Sequence, residues 1–124
     1  MEKKKILIIE DEEIMLDLLQ RKLTSNGYEI SVARNGEDGL KMIKEIKPDL
    51  ILLDIIMPKM SGIEVLEEMQ KDEEIKNTLV IIISNSGQPV ELDKVKKLGA
   101  KDWLIKTEFS PQEVVDKVIK QIGK

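Results

Sequence analysis

Four short apolar runs in this chain each end at a polar side chain, and this pattern limits the folds that the chain can adopt. Each run reads as a short strand covered on both faces, as the strands of a parallel sheet are. The carboxyl ends of parallel strands meet at one edge of the sheet, where open α/β sheets bind ligands. The polar residues that end the four runs are Glu10 with Asp11, Asp54, Ser84 and Lys106. We therefore expect carboxylates, a hydroxyl and an amine to meet at that edge.

Helical patterns alternate with these strands along the 124 residues. Residues 28–32 alternate apolar and polar side chains, which predicts a half-exposed strand at an edge of the sheet. In the first helix we expect a core-facing stripe made of Ile14, Leu18, Leu19 and Leu23. Alternating strands and helices are typical of βαβ units with right-handed crossovers. The sequence therefore predicts one domain, residues 1–124, folded as a doubly wound three-layer α/β sandwich with five strands and five helices.

The composition excludes several classes of chemistry. There is no cysteine and no histidine, so the chain has no thiol, no thiolate metal site and no imidazole base. The net charge of −4 argues against a nucleic-acid partner, which would favour a clustered basic face. No apolar run approaches the roughly 20 residues that span a bilayer, and the N-terminus lacks a signal peptide. We expect a soluble intracellular protein, cytoplasmic if bacterial, with no membrane contact.

Three carboxylates at one sheet edge predict a cation. In a doubly wound sheet the strands that end at Glu10-Asp11 and at Asp54 flank the point where the strand order reverses. At an effective dielectric of 20, each pair of like charges 4 Å apart costs on the order of 4 kcal/mol. Such a cluster persists when a cation offsets it, and ligands that are all oxygen favour Mg²⁺, with Mn²⁺ or Ca²⁺ as alternatives.

Lys106 and Ser84 complete the predicted edge. Lys106 follows an apolar strand, so we expect its amine to pair with Asp54 or with a group attached to Asp54. Ser84 opens a turn-rich stretch and could act only as a turn former. Alternatively, the hydroxyl of Ser84 donates a hydrogen bond to a phosphoryl oxygen beside Asp54.

These residues together resemble a known family. The chain is similar to response-regulator receiver domains over essentially its whole length. The resemblance rests on the pair Glu10-Asp11, Asp54 followed by Met57-Pro58 and Gly62, Ser84, Gly99-Ala100, and Lys106. It implies a flavodoxin-like (βα)5 fold with a parallel sheet of strand order 2-1-3-4-5.

The resemblance also implies a phosphotransfer switch that catalyses only its own phosphorylation and dephosphorylation. Asp54 would accept a phosphoryl group from the phosphohistidine of a sensor histidine kinase or a phosphotransfer protein. Lys106 and Ser84 would bind the phosphoryl oxygens, and catalysis would be positioning and charge neutralisation. The implied Mg²⁺ ligands are Asp11, Asp54 and the backbone carbonyl of Ile56, with Glu10 acting through water.

In the family a hydroxyl and an aromatic residue form the switch, here Ser84 and Trp103, where tyrosine or phenylalanine is usual at the second position. The implied output surface is the fourth helix, last strand and fifth helix, and it includes Asp93, Lys94, Lys97 and Trp103. A downstream protein would bind there, and the chain would be a monomer or a dimer that forms on phosphorylation.

Three positions depart from the family pattern or tune it. Thr107 follows Lys106 where proline, often in a cis peptide, is usual, so we predict a trans Lys106–Thr107 peptide. Ile56 and Ser86 lie two residues after Asp54 and Ser84, where the family controls how water reaches the phosphoaspartate. An apolar Ile56 cannot orient water, so we predict slow intrinsic dephosphorylation.

Other functions remain open on the sequence alone. A degenerate receiver could serve as a docking domain that needs no phosphorylation. A Mg²⁺-dependent phosphohydrolase of the haloacid-dehalogenase type would also use a strand-end aspartate, but it needs an Asp-x-Asp on its first strand. A flavin-binding module needs a phosphate-binding loop after the first strand, and the acidic residues 10–13 would repel phosphate.

Overall fold

The computed structural model describes residues 2–85 and 89–124, and for residues 89–91 it describes the backbone alone. Strands and helices alternate along this part of the chain. The strands are β1 (Lys5–Ile9), β2 (Glu29–Ala33), β3 (Leu50–Asp54), β4 (Leu79–Ser84) and β5 (Asp102–Ile105). The helices are α1 (Glu13–Ser25), α2 (Gly36–Ile46), α3 (Gly62–Gln70), α4 (Pro89–Lys97) and α5 (Pro111–Ile122).

The five strands form one parallel sheet in the order β2-β1-β3-β4-β5. This confirms the predicted doubly wound, flavodoxin-like fold. β2 lies at one edge and is only partly buried, as its alternating sequence predicts. β3 lies in the centre, and every one of its residues is buried, because helices cover both faces of the sheet.

The core has one layer on each face of the sheet. Alternate residues of each strand point to opposite faces, so Leu7 and Ile9 belong to one layer, and Ile6 and Ile8 to the other. The first layer packs against α2, α3 and α4, and the second packs against α1 and α5. The sheet is thereby held between two layers of helices.

The predicted core face of α1 is partly wrong. Leu19 and Leu23 are buried as expected, but Ile14 is 88% exposed and Leu18 is 38% exposed. Leu16 is the third buried residue of α1. It precedes Leu19 by three residues and Leu23 by seven, and residues at these spacings lie on one side of a helix. The helix therefore has a second apolar face, formed by Ile14 and Leu18, that is open to solvent.

Helix ends follow the sequence signals. Ser110 and Glu113 form a capping box at the start of α5, with Pro111 at the first helical position. Asn26 caps the end of α1 and is followed by Gly27 at φ +91°. Among the described residues no helix has both the length and the apolar character needed to cross a bilayer.

The start of α3 packs directly on the end of β3. The backbone N–H of Gly62 donates to the carbonyl oxygen of Ile55 at 2.7 Å. A Cβ atom at position 62 would lie 2.2 Å from the carbonyl oxygen of Asp54, so only glycine allows this approach. Ser61 and Glu64 cap the helix reciprocally. These contacts anchor both ends of the loop that follows Asp54.

Candidate functional site

Strand register brings the predicted site residues to one edge. Ile9 of β1 lies opposite Leu53 of β3, which places the next residues, Glu10 and Asp54, side by side. On the other side of β3, Asp54 lies opposite Ile83 of β4. Ser84 and Lys106 are joined by a backbone hydrogen bond of 2.7 Å from the N–H of Lys106. The carboxyl ends of four strands thus form the site, as the sequence predicts.

Three carboxylates converge at this edge. Glu10, Asp11 and Asp54 can each present one oxygen such that the three oxygens lie within 4.8 Å of one another. Glu10 is fully buried and Asp54 is 2% exposed, whereas Asp11 is exposed. Two of the three charges are therefore withdrawn from water, and the third lies at the opening of the site.

Lys106 is the counter-charge within the protein. Its Nζ lies 2.9 Å from Glu10 Oε1, 3.2 Å from Asp54 Oδ2 and 2.7 Å from Glu12 Oε1. The side chain of Lys106 is 4% exposed, so its contacts with buried Glu10 and Asp54 are made out of water, where they are strong, whereas Glu12 is half-exposed. The predicted pairing of Lys106 with Asp54 is present, and Lys106 also contacts two further carboxylates.

Burial dominates the electrostatics of Asp54. Removal from water, followed by the charge of Glu10, raises the pKa of Asp54 to about 7, against the lowering effect of Lys106. For Lys106, burial lowers the pKa, but hydrogen bonds to Glu12 and Glu10 and the charge of Asp54 outweigh burial and raise it overall. One lysine thus does not fully offset the carboxylates, and the site favours a further cation.

The donor set fits a hard divalent cation. All the candidate ligand atoms are carboxylate oxygens, which are the ligands that Mg²⁺ takes in proteins. Glu10 Oε1 is buried and lies close to Lys106, yet among the described residues no donor makes a well-oriented hydrogen bond to it. A buried oxygen in that position retains a lone pair for a metal or for a water bound to one.

The remaining predicted residues surround this cluster. Ser84 is 4% exposed at the end of β4. The backbone N–H of Ile56 donates to Asp54 Oδ1 at 3.4 Å, and the side chain of Ile56 is exposed. Trp103 is half-buried on β5, opposite Ile82 of β4. Ser86 lies outside the described residues.

The other two predictions concern the loop after β5 and the output surface. No peptide bond among the described residues is cis, which confirms the trans Lys106–Thr107 peptide. On α4, Asp93, Lys94 and Lys97 are exposed. Their accessibility is what an output surface requires, and that role stays a prediction.

Sequence reasoning missed Glu12. The sequence alone indicates only that Glu12 belongs to an acidic run that would repel phosphate, yet its carboxylate makes the shortest contact to Lys106. The signal in the sequence that could have identified Glu12 is its position. It lies two residues after Glu10 and directly before α1, and therefore at the same edge of the sheet.

A family model described as a response regulator receiver domain matches residues 6–119 of the chain. The chain belongs to this family. Receiver domains are signalling domains of two-component systems, and they interact with histidine kinases and downstream effectors.

Individual relatives agree with this assignment. The receiver domain is 37% identical over 114 residues to the chemotaxis protein CheY of Thermotoga maritima, with 91% of this chain and 92% of the relative covered. It is 41% identical over 113 residues to the alkaline phosphatase synthesis transcriptional regulatory protein PhoP of Bacillus subtilis. That match covers 90% of this chain but 45% of PhoP, so the chain spans less than half of that relative.

A solved structure shares the fold closely. The receiver domain matches a chain of the CheX-CheY-BeF3-Mg²⁺ complex from Borrelia burgdorferi with a TM-score of 0.86 and 29% identity. The match covers 94% of this chain and 87% of that chain.

Proposed function

We propose that Asp54 is the phosphoacceptor of this receiver domain and that residues 1–124 act as one such domain. The observation that carries the proposal is the buried Asp54 carboxylate, 3.2 Å from Lys106 Nζ and beside Glu10 and Asp11. A phosphohydrolase of the haloacid-dehalogenase type lacks support, because the position two after Asp54 is Ile56. A docking domain would have no need of this complete set of charged residues.

The transfer is a single displacement at phosphorus. An oxygen of ionised Asp54 forms a bond to phosphorus while the bond from phosphorus to the imidazole nitrogen of the donor breaks, and that nitrogen keeps the electron pair. Lys106 offsets the charge on the phosphoryl oxygens, and Ser84 supplies a hydroxyl at the same edge. No general base is required, because the carboxylate is itself the nucleophile.

We propose that Glu10, Asp11, Asp54 and the backbone carbonyl of Ile56 hold Mg²⁺, with Glu10 acting through water and with Mn²⁺ as an alternative. Bound Mg²⁺ would offset the negative charge shared by the carboxylates and the phosphoryl oxygens. The buried Glu10 Oε1 and the convergence of three carboxylates support this assignment. The CheY structure from Borrelia burgdorferi, which contains BeF3 and Mg²⁺, agrees with it.

The phosphoryl donor is proposed to be a protein, namely a sensor histidine kinase or a phosphotransfer protein. Two exposed isoleucines follow site residues closely in the sequence: Ile14, in the first turn of α1, is three residues after Asp11, and Ile56, which is 66% exposed, is two residues after Asp54. Leu18 and Pro111 line a groove with Ile14 between α1 and α5. Apolar surface at the opening of a charged site favours a protein partner that covers it.

The consequence proposed for phosphorylation is a shift between inactive and active conformations, sensed by Ser84 and Trp103. The output surface is α4, β5 and α5, where a downstream protein binds, and the domain is a monomer or a dimer that forms on phosphorylation. The cytoplasm is the proposed place of action. The test of the proposal is whether acetyl phosphate with Mg²⁺ adds one phosphoryl group to the chain and none to Asp54→Asn.

Ile56→Asn is expected to speed the intrinsic loss of the phosphoryl group severalfold. In that reaction a water oxygen bonds to phosphorus, and the bond from phosphorus to Asp54 breaks. An exposed apolar side chain cannot orient the water, whereas an amide can accept and donate hydrogen bonds to it. Decay of the phosphorylated protein after removal of the donor measures this rate. Ile14→Asn is the matched control, and equal decay of the Ile56 variant and the wild type would contradict the prediction.

A further inference from the structure

Lys106 has one more carboxylate partner than the proposed function uses. Glu10 and Asp54 belong to the phosphoacceptor site, but the shortest contact of Lys106 Nζ is 2.7 Å to Glu12 Oε1. This contact joins residues 94 positions apart in the sequence. It needs an explanation of its own, because Glu12 is not among the candidate metal ligands.

The backbone of Glu12 is held by two hydrogen bonds, while Lys106 is the one partner of its side chain among residues 2–85 and 92–124. Glu12 occupies the N-cap position of α1, but its side chain makes no capping hydrogen bond. Its N–H donates to Glu10 Oε2 at 3.1 Å, and its carbonyl accepts from Leu16 at 2.9 Å. A glutamate in this position presents its carboxylate to the site and leaves the N–H groups of the first helical turn to other partners.

The three donors of the Lys106 ammonium match its three carboxylate partners. If Asp54 Oδ1 takes the phosphoryl group, Oδ2 stays an acceptor for Lys106, and a phosphoryl oxygen can then bond to Lys106 only if one of these partners gives way. Glu10 is fully buried and the Asp54 side chain is 3% exposed, so neither can turn to water. The side chain of Glu12 is 54% exposed and can be released to solvent at low cost.

We propose that Glu12 is a positioning residue that holds Lys106 in the unphosphorylated protein and leaves it when the phosphoryl group arrives. This inference rests on the proposed function of Asp54. The contact between Glu12 and Lys106 stabilises only the unphosphorylated state, so it slows phosphorylation. It does not affect the hydrolysis of phosphorylated Asp54, because it is already broken there.

Glu12→Gln is expected to raise the rate of phosphorylation by acetyl phosphate at saturating Mg²⁺ roughly two- to fivefold, the range for an ion pair with one half-exposed partner. The rate of dephosphorylation stays unchanged, an asymmetry that a general loss of structure would not produce. Both rates are followed by intact mass. Glu13→Gln is the control, because it removes an equal charge from the next residue, whose partner is Arg34 and not Lys106.

Glu12→Asp separates the contact from the charge. Aspartate is a preferred N-cap residue, so its shorter carboxylate turns to the backbone N–H groups of α1. This variant keeps the charge but releases Lys106, and it should match the faster phosphorylation of Glu12→Gln while unfolding at a higher temperature than the wild type. A wild-type rate in Glu12→Asp beside a fast Glu12→Gln would show that charge alone acts, and would overturn the inference.

The outcomes also separate this inference from the proposed function. If the wild type takes up no phosphoryl group, the proposed function fails, and this inference fails with it. If the wild type is phosphorylated but Glu12→Gln is no faster than Glu13→Gln, only the role of Glu12 is overturned.

Discussion

In the metal-free protein at pH 8, Asp54→Asn is expected to raise the free energy of unfolding by roughly 2–4 kcal/mol. Burial and the charge of Glu10 raise the pKa of Asp54 to about 7 in the folded chain, from the ordinary aspartate value of about 3.9 in the unfolded chain. The folded state therefore binds this proton more tightly than the unfolded state does. The stabilisation that comes from this proton is fully present below the pKa that Asp54 has in the unfolded chain. It is lost as the pH rises through the pKa of Asp54 in the folded chain. Asparagine does not ionise, so the variant does not lose this stability at pH 8.

Urea unfolding in the presence of a chelator at pH 5 and pH 8 measures the effect. The advantage of Asp54→Asn should be clearly smaller at pH 5, where Asp54 is largely protonated in the folded state. Mg²⁺ should stabilise the wild type at pH 8 and reduce the difference, because it binds the native site. Asp116→Asn, an exposed position on α5, should change stability by less than about 0.5 kcal/mol. Equal stability of Asp54→Asn and the wild type at pH 8 would show that the ionised Asp54 carboxylate does not destabilise the folded protein.

Lys106→Met is expected to lower the rate of phosphorylation by roughly 100-fold or more, the usual effect of removing one group that stabilises transition-state charge. Methionine fills similar space but leaves the phosphoryl oxygens without their cation. Binding of Mg²⁺ should persist, because Lys106 is a competitor of the metal for Glu10 and Asp54 and not a ligand.

Single-turnover phosphorylation by acetyl phosphate, followed by intact mass, gives the rate, and calorimetry gives the Mg²⁺ affinity. Lys101→Met is a suitable control, since Lys101 is exposed just before β5. A variant that is phosphorylated within tenfold of the wild-type rate would rule out the proposed role of Lys106. Loss of Mg²⁺ binding in the variant would point instead to a collapsed site.

The sheet and the meeting of its polar strand ends were predictable, because both follow from a short-range pattern. Buried parallel strands need continuous apolar residues, and parallel strands place their carboxyl ends on one edge whatever the details of packing. Glu10, Asp54 and Lys106 therefore meet as expected. Likewise, the capping box at Ser110 depends on residues only three positions apart.

The face of α1 and the role of Glu12 were not predictable in the same way. α1 carries apolar residues around more than half of its surface, so periodicity alone does not decide between Ile14 and Leu16. That choice depends on how the helix lies against the sheet. The contact of Glu12 with Lys106 depends on a side-chain direction at a helix N-cap, and a local pattern favours capping there.

Intact mass after incubation with acetyl phosphate is the most direct test of Asp54 as phosphoacceptor. With Mg²⁺, the wild type should gain one phosphoryl group. The bond from phosphorus to the acetate oxygen breaks as an oxygen of Asp54 bonds to phosphorus. Asp54→Asn should gain none, and neither should the wild type in the presence of a chelator. A phosphoryl group on Asp54→Asn, or none on the wild type with Mg²⁺ binding verified, would contradict the assignment of Asp54 as the phosphoacceptor.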